Sequence, residues 1–156
     1  MRLTDYLEPE LILVGLRADG VEPAIDAMVT RLHEAGKIAD PDSARAAVLE
    51  REASHTTALG NGVALPHATL EGLDRCRVLV AVAPEGVPFG PADRESGTER
   101  LFFMLLSPAD EAGTHIKLLA RIVRLVRRPD FVEALIAAGS PESVLEEIER
   151  EDALHV

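Results

Sequence analysis

Two stretches of the chain, Val78–Ala83 and Leu101–Leu106, are apolar without a break and are fenced by Pro, Gly and charged residues. A strand with one wet face alternates apolar and polar side chains. An unbroken apolar run is what a strand covered on both faces requires. The chain is thus expected to build a sheet with helices on each side, a three-layer arrangement.

The flanking segments supply those helices. Leu11–Ala18 alternates through Ile12, Val14 and Leu16 and reads as a strand closed by Asp19-Gly20. Val21, Ile25, Met28, Val29 and Leu32 recur at helical spacing until Gly36. Asp40-Pro41 is a cap followed by Pro at the first helical position, and predicts a helix to about Glu52. Val63–Leu65 reads as a short strand running into Pro66-His67. Arg77–Ala83 and Arg100–Leu106 are the buried strands, and Pro84–Glu99, rich in Gly, Pro and charge, reads as the loop between them. Three helices follow: His115 to Arg127 with Thr114 as cap, Phe131 to Ala138, and one from Ser140-Pro141-Glu142 to about Arg150. The expected fold is α/β, a three-layer α/β/α sandwich over one domain, residues 1–156, in the order β-α-α-β-β-β-α-α-α. Its sheet should be mixed, because two neighbouring strands are joined without a helix.

Composition narrows the partners. The formal net charge is −11 and aromatic residues are 3% of the chain. An acidic chain with few rings is unsuited to nucleic acid, which demands cations and stacking surfaces. It also has no apolar run approaching the roughly 20 residues a spanning helix needs, so no membrane insertion is expected. The start, Met1-Arg2-Leu3-Thr4-Asp5, lacks the apolar core of a signal peptide. The single cysteine, Cys76, excludes an internal disulfide and a cysteine zinc cluster, and suits a reducing cytoplasm. No P-loop, GxGxxG, GxSxG or HExxH motif is present.

Candidate chemistry rests on histidines. His33 reads as a surface residue, His55 as a loop residue and His155 as part of a frayed terminus. His67 follows Pro66 at a strand end, after the turn Gly60-Asn61-Gly62, whose glycines allow positive φ and close approach. Its local setting fits a presented catalytic side chain and, equally, a turn histidine bonded to backbone. His115 stands at the start of a helix, where backbone N–H groups and the dipole favour an anion and disfavour an imidazolium; a plain first-turn residue is the other reading. Arg51 ends the second helix and could clamp a phosphate or carboxylate. Lys117, Arg121, Arg124 and Arg128 fall on one helical stripe, either a docking surface or a solvated face.

The stretch Arg51-Glu52…Thr56-Thr57…Gly60-Asn61-Gly62-Val63-Ala64-Leu65-Pro66-His67 resembles the active-site segment of fructose/mannitol-type IIA domains of the bacterial phosphoenolpyruvate:sugar phosphotransferase system. The nitrogen-related regulatory members of that group are similar. His115-Ile116-Lys117-Leu118-Leu119-Ala120 resembles the helix bearing the family's second active-site histidine. The resemblance covers nearly the whole chain and implies the family's three-layer α/β/α fold. It implies that His67 is phosphorylated, that His115 matches the second histidine, and that Arg51 matches the active-site arginine. It implies a phosphotransferase without metal or cofactor, taking its phosphoryl group from the histidine-containing carrier protein. The recipient would be a IIB component in sugar uptake or, in a regulatory member, the phosphate would switch contacts with a target protein. A two-histidine metal site of His67 and His115 is the third reading, weak for want of nearby carboxylates.

Overall fold

The computed structural model describes residues 1–89 and 98–155. The strands are β1 (Ile12–Val14), β2 (Val63–Ala64), β3 (His67–Thr69), β4 (Arg77–Pro88) and β5 (Thr98–Ser107). The helices are α1 (Val21–Glu34), α2 (Pro41–Ser54), α3 (Ala112–Val126), α4 (Pro129–Ala137) and α5 (Pro141–Ala153). Along the sheet the order is β1-β4-β5-β2, with β3 also paired to β5. β4 and β5 are antiparallel, and every other pairing is parallel, so the sheet is mixed.

The unbroken apolar runs do what their composition requires. Val78, Val80 and Val82 with Leu101, Phe103 and Leu105 pack against α3, α4 and α5. The residues between them, Leu79, Ala81 and Ala83 with Phe102, Met104 and Leu106, pack against α1 and α2. Alternation of period two thus sends one apolar set to each helical layer. Among the described residues no helix is long and apolar enough to cross a membrane.

Three local expectations are corrected. The order is β-α-α-β-β-β-β-α-α-α, one strand more than the pattern predicts. The short strand expected at Val63–Leu65 is β2, and past Pro66, which has no amide hydrogen to give the ladder, pairing resumes in the unexpected strand β3. The loop expected over Pro84–Glu99 is partly strand, since β4 runs on to Pro88 and β5 begins at Thr98. The register shifts between Val82 and Val87, and Gly86 takes φ +84° there, next to Thr98, where a Cβ would collide with the threonine methyl group. Turn residues here make a bulge rather than a loop end. The rest of that expected loop, residues 90–97, lies outside the described residues. Finally, α3 begins at Ala112, after a 3-10 turn over Ala109–Glu111, and Thr114 is not its cap.

Candidate functional site: two facing histidines

His67 opens β3 opposite Leu105, a residue of the α3 side of the sheet, so its ring faces that layer. Its Nδ1 lies 2.7 Å from the carbonyl oxygen of Leu65. A carbonyl can only accept, so Nδ1 carries the proton and Nε2 keeps a free lone pair whenever the ring is neutral. The Pro66 ring between the two residues stiffens this fold-back. His67 is half-buried.

His115 comes from α3, one turn inside the helix. Its ring centroid is 5.4 Å from that of His67, with the planes tilted by 59°. Its Nδ1 is 2.7 Å from the hydroxyl oxygen of Ser107. Burial, and then the nearby His67, hold the His115 imidazole below its ordinary value. Both influences favour the neutral ring. In the interval between its native and unfolded values the unfolded chain binds more protons, so His115 makes stability fall as pH drops through that window. A histidine NMR titration should place the His115 midpoint below the ordinary imidazole value, and His67→Ala should move it up; an unmoved midpoint would remove the charge coupling between the rings.

Arg51 sits at the C-terminal end of α2, where it lines a surface hollow with Ala68 and Thr69, the residues directly after His67. Its Nη1 donates to the carbonyl of His55 at 3.0 Å. The structure therefore brings His67 and His115 together and places Arg51 beside β3, turned toward its own loop. Glu52 is 7% exposed and braces that loop, its two carboxylate oxygens accepting from the Thr57 N–H at 2.7 Å and the Thr57 hydroxyl at 2.6 Å.

The Gly60-Asn61-Gly62 turn is not beside His67. Gly60 and Gly62 do take φ +89° and +86°. Yet the Gly62 carbonyl accepts from Arg100 and Leu101, while His67 pairs with Leu105, four residues further along β5. That separation is about 13 Å at the rise of a strand. Asn61 Nδ2 donates to the Val126 carbonyl at 3.2 Å, so the turn closes the far end of α3.

The other histidines and the basic stripe also resolve. His33 is exposed and its Nδ1 meets the Ile38 carbonyl at 3.2 Å. His155 is docked rather than frayed: its Nε2 is 2.8 Å from Glu151 Oε2, and its carbonyl accepts from Arg121 at 3.0 Å. Lys117 and Arg124 are exposed, as a solvated face requires. Arg121 and Arg128 instead pair with Asp152 and Glu151 of α5 at 2.6 and 3.1 Å. Among the described residues no group of three or more His, Cys, Asp or Glu is placed to hold a metal ion.

The polar groups that sequence reasoning missed are Ser107 and the Leu65 carbonyl. Ser107 had one signal, a small hydroxyl residue terminating a fully apolar strand.

The fold is thus an α/β/α sandwich that presents two histidines to each other across a strand–helix junction. The chain belongs to the family "Phosphoenolpyruvate-dependent sugar phosphotransferase system, EIIA 2", whose model matches residues 5–151. It is 33% identical over 123 residues to the fructose-specific EIIA component of Haloferax volcanii, covering 79% of each chain. It is 32% identical over 145 residues to a nitrogen regulatory protein of Bradyrhizobium diazoefficiens, covering 92% of each. The fructose-specific EIIABC component of Bacillus subtilis (strain 168) is 28% identical over 152 residues, and there the chain spans only 24% of the relative's length. Among solved structures, IIAMTL in its complex with phosphorylated enzyme IIBMTL from Escherichia coli superposes with a TM-score of 0.78 at 28% identity, over 92% of this chain and 97% of that one.

Proposed function

We propose that the chain is a phosphoryl carrier in which His67 takes a phosphoryl group from the histidine of a histidine-containing carrier protein and hands it to a IIB component. The observation that carries this reading is the His67 ring, held at Nδ1 by the Leu65 carbonyl with Nε2 free and His115 5.4 Å away. Similarity to a IIA protein in complex with its phosphorylated IIB supports a IIB component as partner.

The step balances without a metal or cofactor. The Nε2 lone pair of His67 attacks phosphorus, the phosphorus–nitrogen bond to the donor imidazole breaks, and its electron pair returns to the donor ring. His67 becomes cationic and keeps its Nδ1 proton on the Leu65 carbonyl, whose negative end stabilises that charge. Phosphoryl transfer asks the protein for alignment and charge stabilisation. His115, once Nε2 is protonated, supplies one hydrogen bond to the equatorial oxygens, and Arg51 a second once its guanidinium leaves the His55 carbonyl. A net charge of −11 favours encounter with a basic partner and acts mainly on the rate of association.

The second reading is regulatory: the phosphate on His67 switches contacts with a target protein. Its support is the similarity to the nitrogen regulatory protein along 92% of both chains. Incubation with radiolabelled phosphoenolpyruvate, the two general carrier proteins and a panel of IIB components separates the two. Label that enters the chain and moves on to a IIB supports the relay. Label that enters and stays supports regulation. No label with competent carriers contradicts both.

A further inference from the structure

The site contains a buried hydroxyl that the transfer step above leaves without a task. Ser107 is the last residue of β5, 1% exposed, and its Oγ lies 2.7 Å from His115 Nδ1. Near it is Cys76, also 1% exposed, whose thiol Ser107 holds down and burial and Glu111 push up, the pattern of a hydroxyl that donates toward the sulfur and a carboxylate that accepts from it. Glu111 Oε2 also accepts from the Cys76 backbone N–H at 3.0 Å. Two contacts are direct, His115 to Ser107 and the Cys76 backbone to Glu111, and the Cys76 thiol lies between them under the influence of both Ser107 and Glu111.

The Glu111 end of that line of groups decides its direction. An ionised carboxylate only accepts hydrogen bonds. Cys76 S–H therefore points to Glu111, Ser107 O–H points to the Cys76 sulfur, and a Ser107 lone pair is left to accept from His115 Nδ1–H. The reverse direction would set thiol lone pairs against a carboxylate in a buried place, where an unsatisfied group is costly. Burial raises the Cys76 thiol, and so does Glu111, which keeps the required S–H in place.

We propose that Ser107, backed by Cys76 and Glu111, is a positioning residue that fixes His115 in its Nδ1–H form, so that His115 offers a bare Nε2 toward His67 and takes up a proton there when His67 is phosphorylated. The second half rests on the phosphoryl-carrier reading; the first does not. The proton comes from water and adds to the Nε2 lone pair, and no bond at Nδ1 changes. The resulting imidazolium donates at Nδ1 to Ser107 and at Nε2 to a phosphoryl oxygen. The titratable group that acts directly on the ring is His67 from β3, while Cys76, ahead of β4, and Glu111, ahead of α3, act through Ser107. Before transfer His115 is held neutral by burial and by His67. A phosphoryl dianion on His67 reverses that sign, because an adjacent negative charge favours the protonated ring.

Nitrogen-15 NMR of the histidine rings tests this on the full chain at pH 7.5, for wild type, Ser107→Ala and Ser107→Thr. Wild type and Ser107→Thr should show His115 protonated at Nδ1, and Ser107→Ala should shift it toward Nε2–H with the His67 signals unchanged. Ser107→Ala should also accept the phosphoryl group roughly tenfold more slowly, since a freed ring loses its alignment, and Ser107→Thr should restore the rate. In the phosphorylated wild type, His115 should be doubly protonated at a pH where the free protein is neutral. An Nε2–H form in wild type, or a tautomer indifferent to Ser107→Ala, overturns the positioning role. A neutral His115 beside phosphorylated His67 overturns the proton uptake. A chain that accepts no phosphoryl group overturns the carrier reading and the uptake with it, while the tautomer in the free protein still decides the role of Ser107.

Discussion

A His67→Ala chain is expected to accept no phosphoryl group above background, while folding as the wild type does. The substitution removes the proposed nucleophile. In the proposed relay His115, on α3 with its ring 5.4 Å from that of His67, serves the transferring group rather than attacking it. His115→Ala should behave differently. It leaves the nucleophile and removes one stabilising contact to the transferring group, a loss of about 10²- to 10³-fold in rate by analogy with deleting one donor to a developing oxyanion. Rapid-quench measurement of label transfer from the phosphorylated carrier, with circular dichroism on each variant, separates the two. Equal residual rates for the two variants would contradict the division of roles between a nucleophile and a stabilising partner.

Asp152→Ala should be the most destabilising single change outside the apolar core. The Asp152 side chain is fully buried and accepts from Arg121 Nε at 2.6 Å, from the Thr4 N–H at 3.0 Å and from the Thr4 hydroxyl at 3.2 Å. It ties the N-terminal 3-10 turn Leu3–Tyr6, α3 and α5 together. Removing it leaves the Arg121 guanidinium, only 11% exposed, without its countercharge. Stranding one member of a buried pair costs about 3–5 kcal/mol. For a chain of this size that lowers Tm by about 10–15 °C. Asp152→Asn keeps acceptors for Thr4 and should lose less. Calorimetric melts of both variants check the order, and an Asp152→Ala melt within about 2 °C of wild type would contradict the clamp.

The layering of the fold was legible because it depends on composition within single strands. Val78–Ala83 and Leu101–Leu106 have no polar face to offer water, so helices on both sides follow directly. His67, His115 and Arg51 are expected from their motifs, and the rings of two of the three lie together. What escaped depends on contacts distant in sequence. Arg121 looked like part of a solvated stripe because its partner Asp152 lies in another helix. Ser107 gained its meaning only when β5 brought it under His115. The Gly60-Asn61-Gly62 turn is near His67 in sequence, but extended strands carry it to the opposite end of the sheet. Gly86 read as loop because a bulge and a turn use the same residue types. The start of α3 escaped because Ala112-Gly113 carries a poor helix former in the first turn.

The central claim is that Nε2 of His67 is the atom that carries the phosphoryl group. Phosphorus and nitrogen NMR on the nitrogen-15 chain, phosphorylated by the carrier protein, tests it most directly. The account predicts a single phosphohistidine at His67, coupled through Nε2, with Nδ1 still protonated on the Leu65 carbonyl. A phosphoryl group bound at Nδ1 of His67, or on His115, would contradict it.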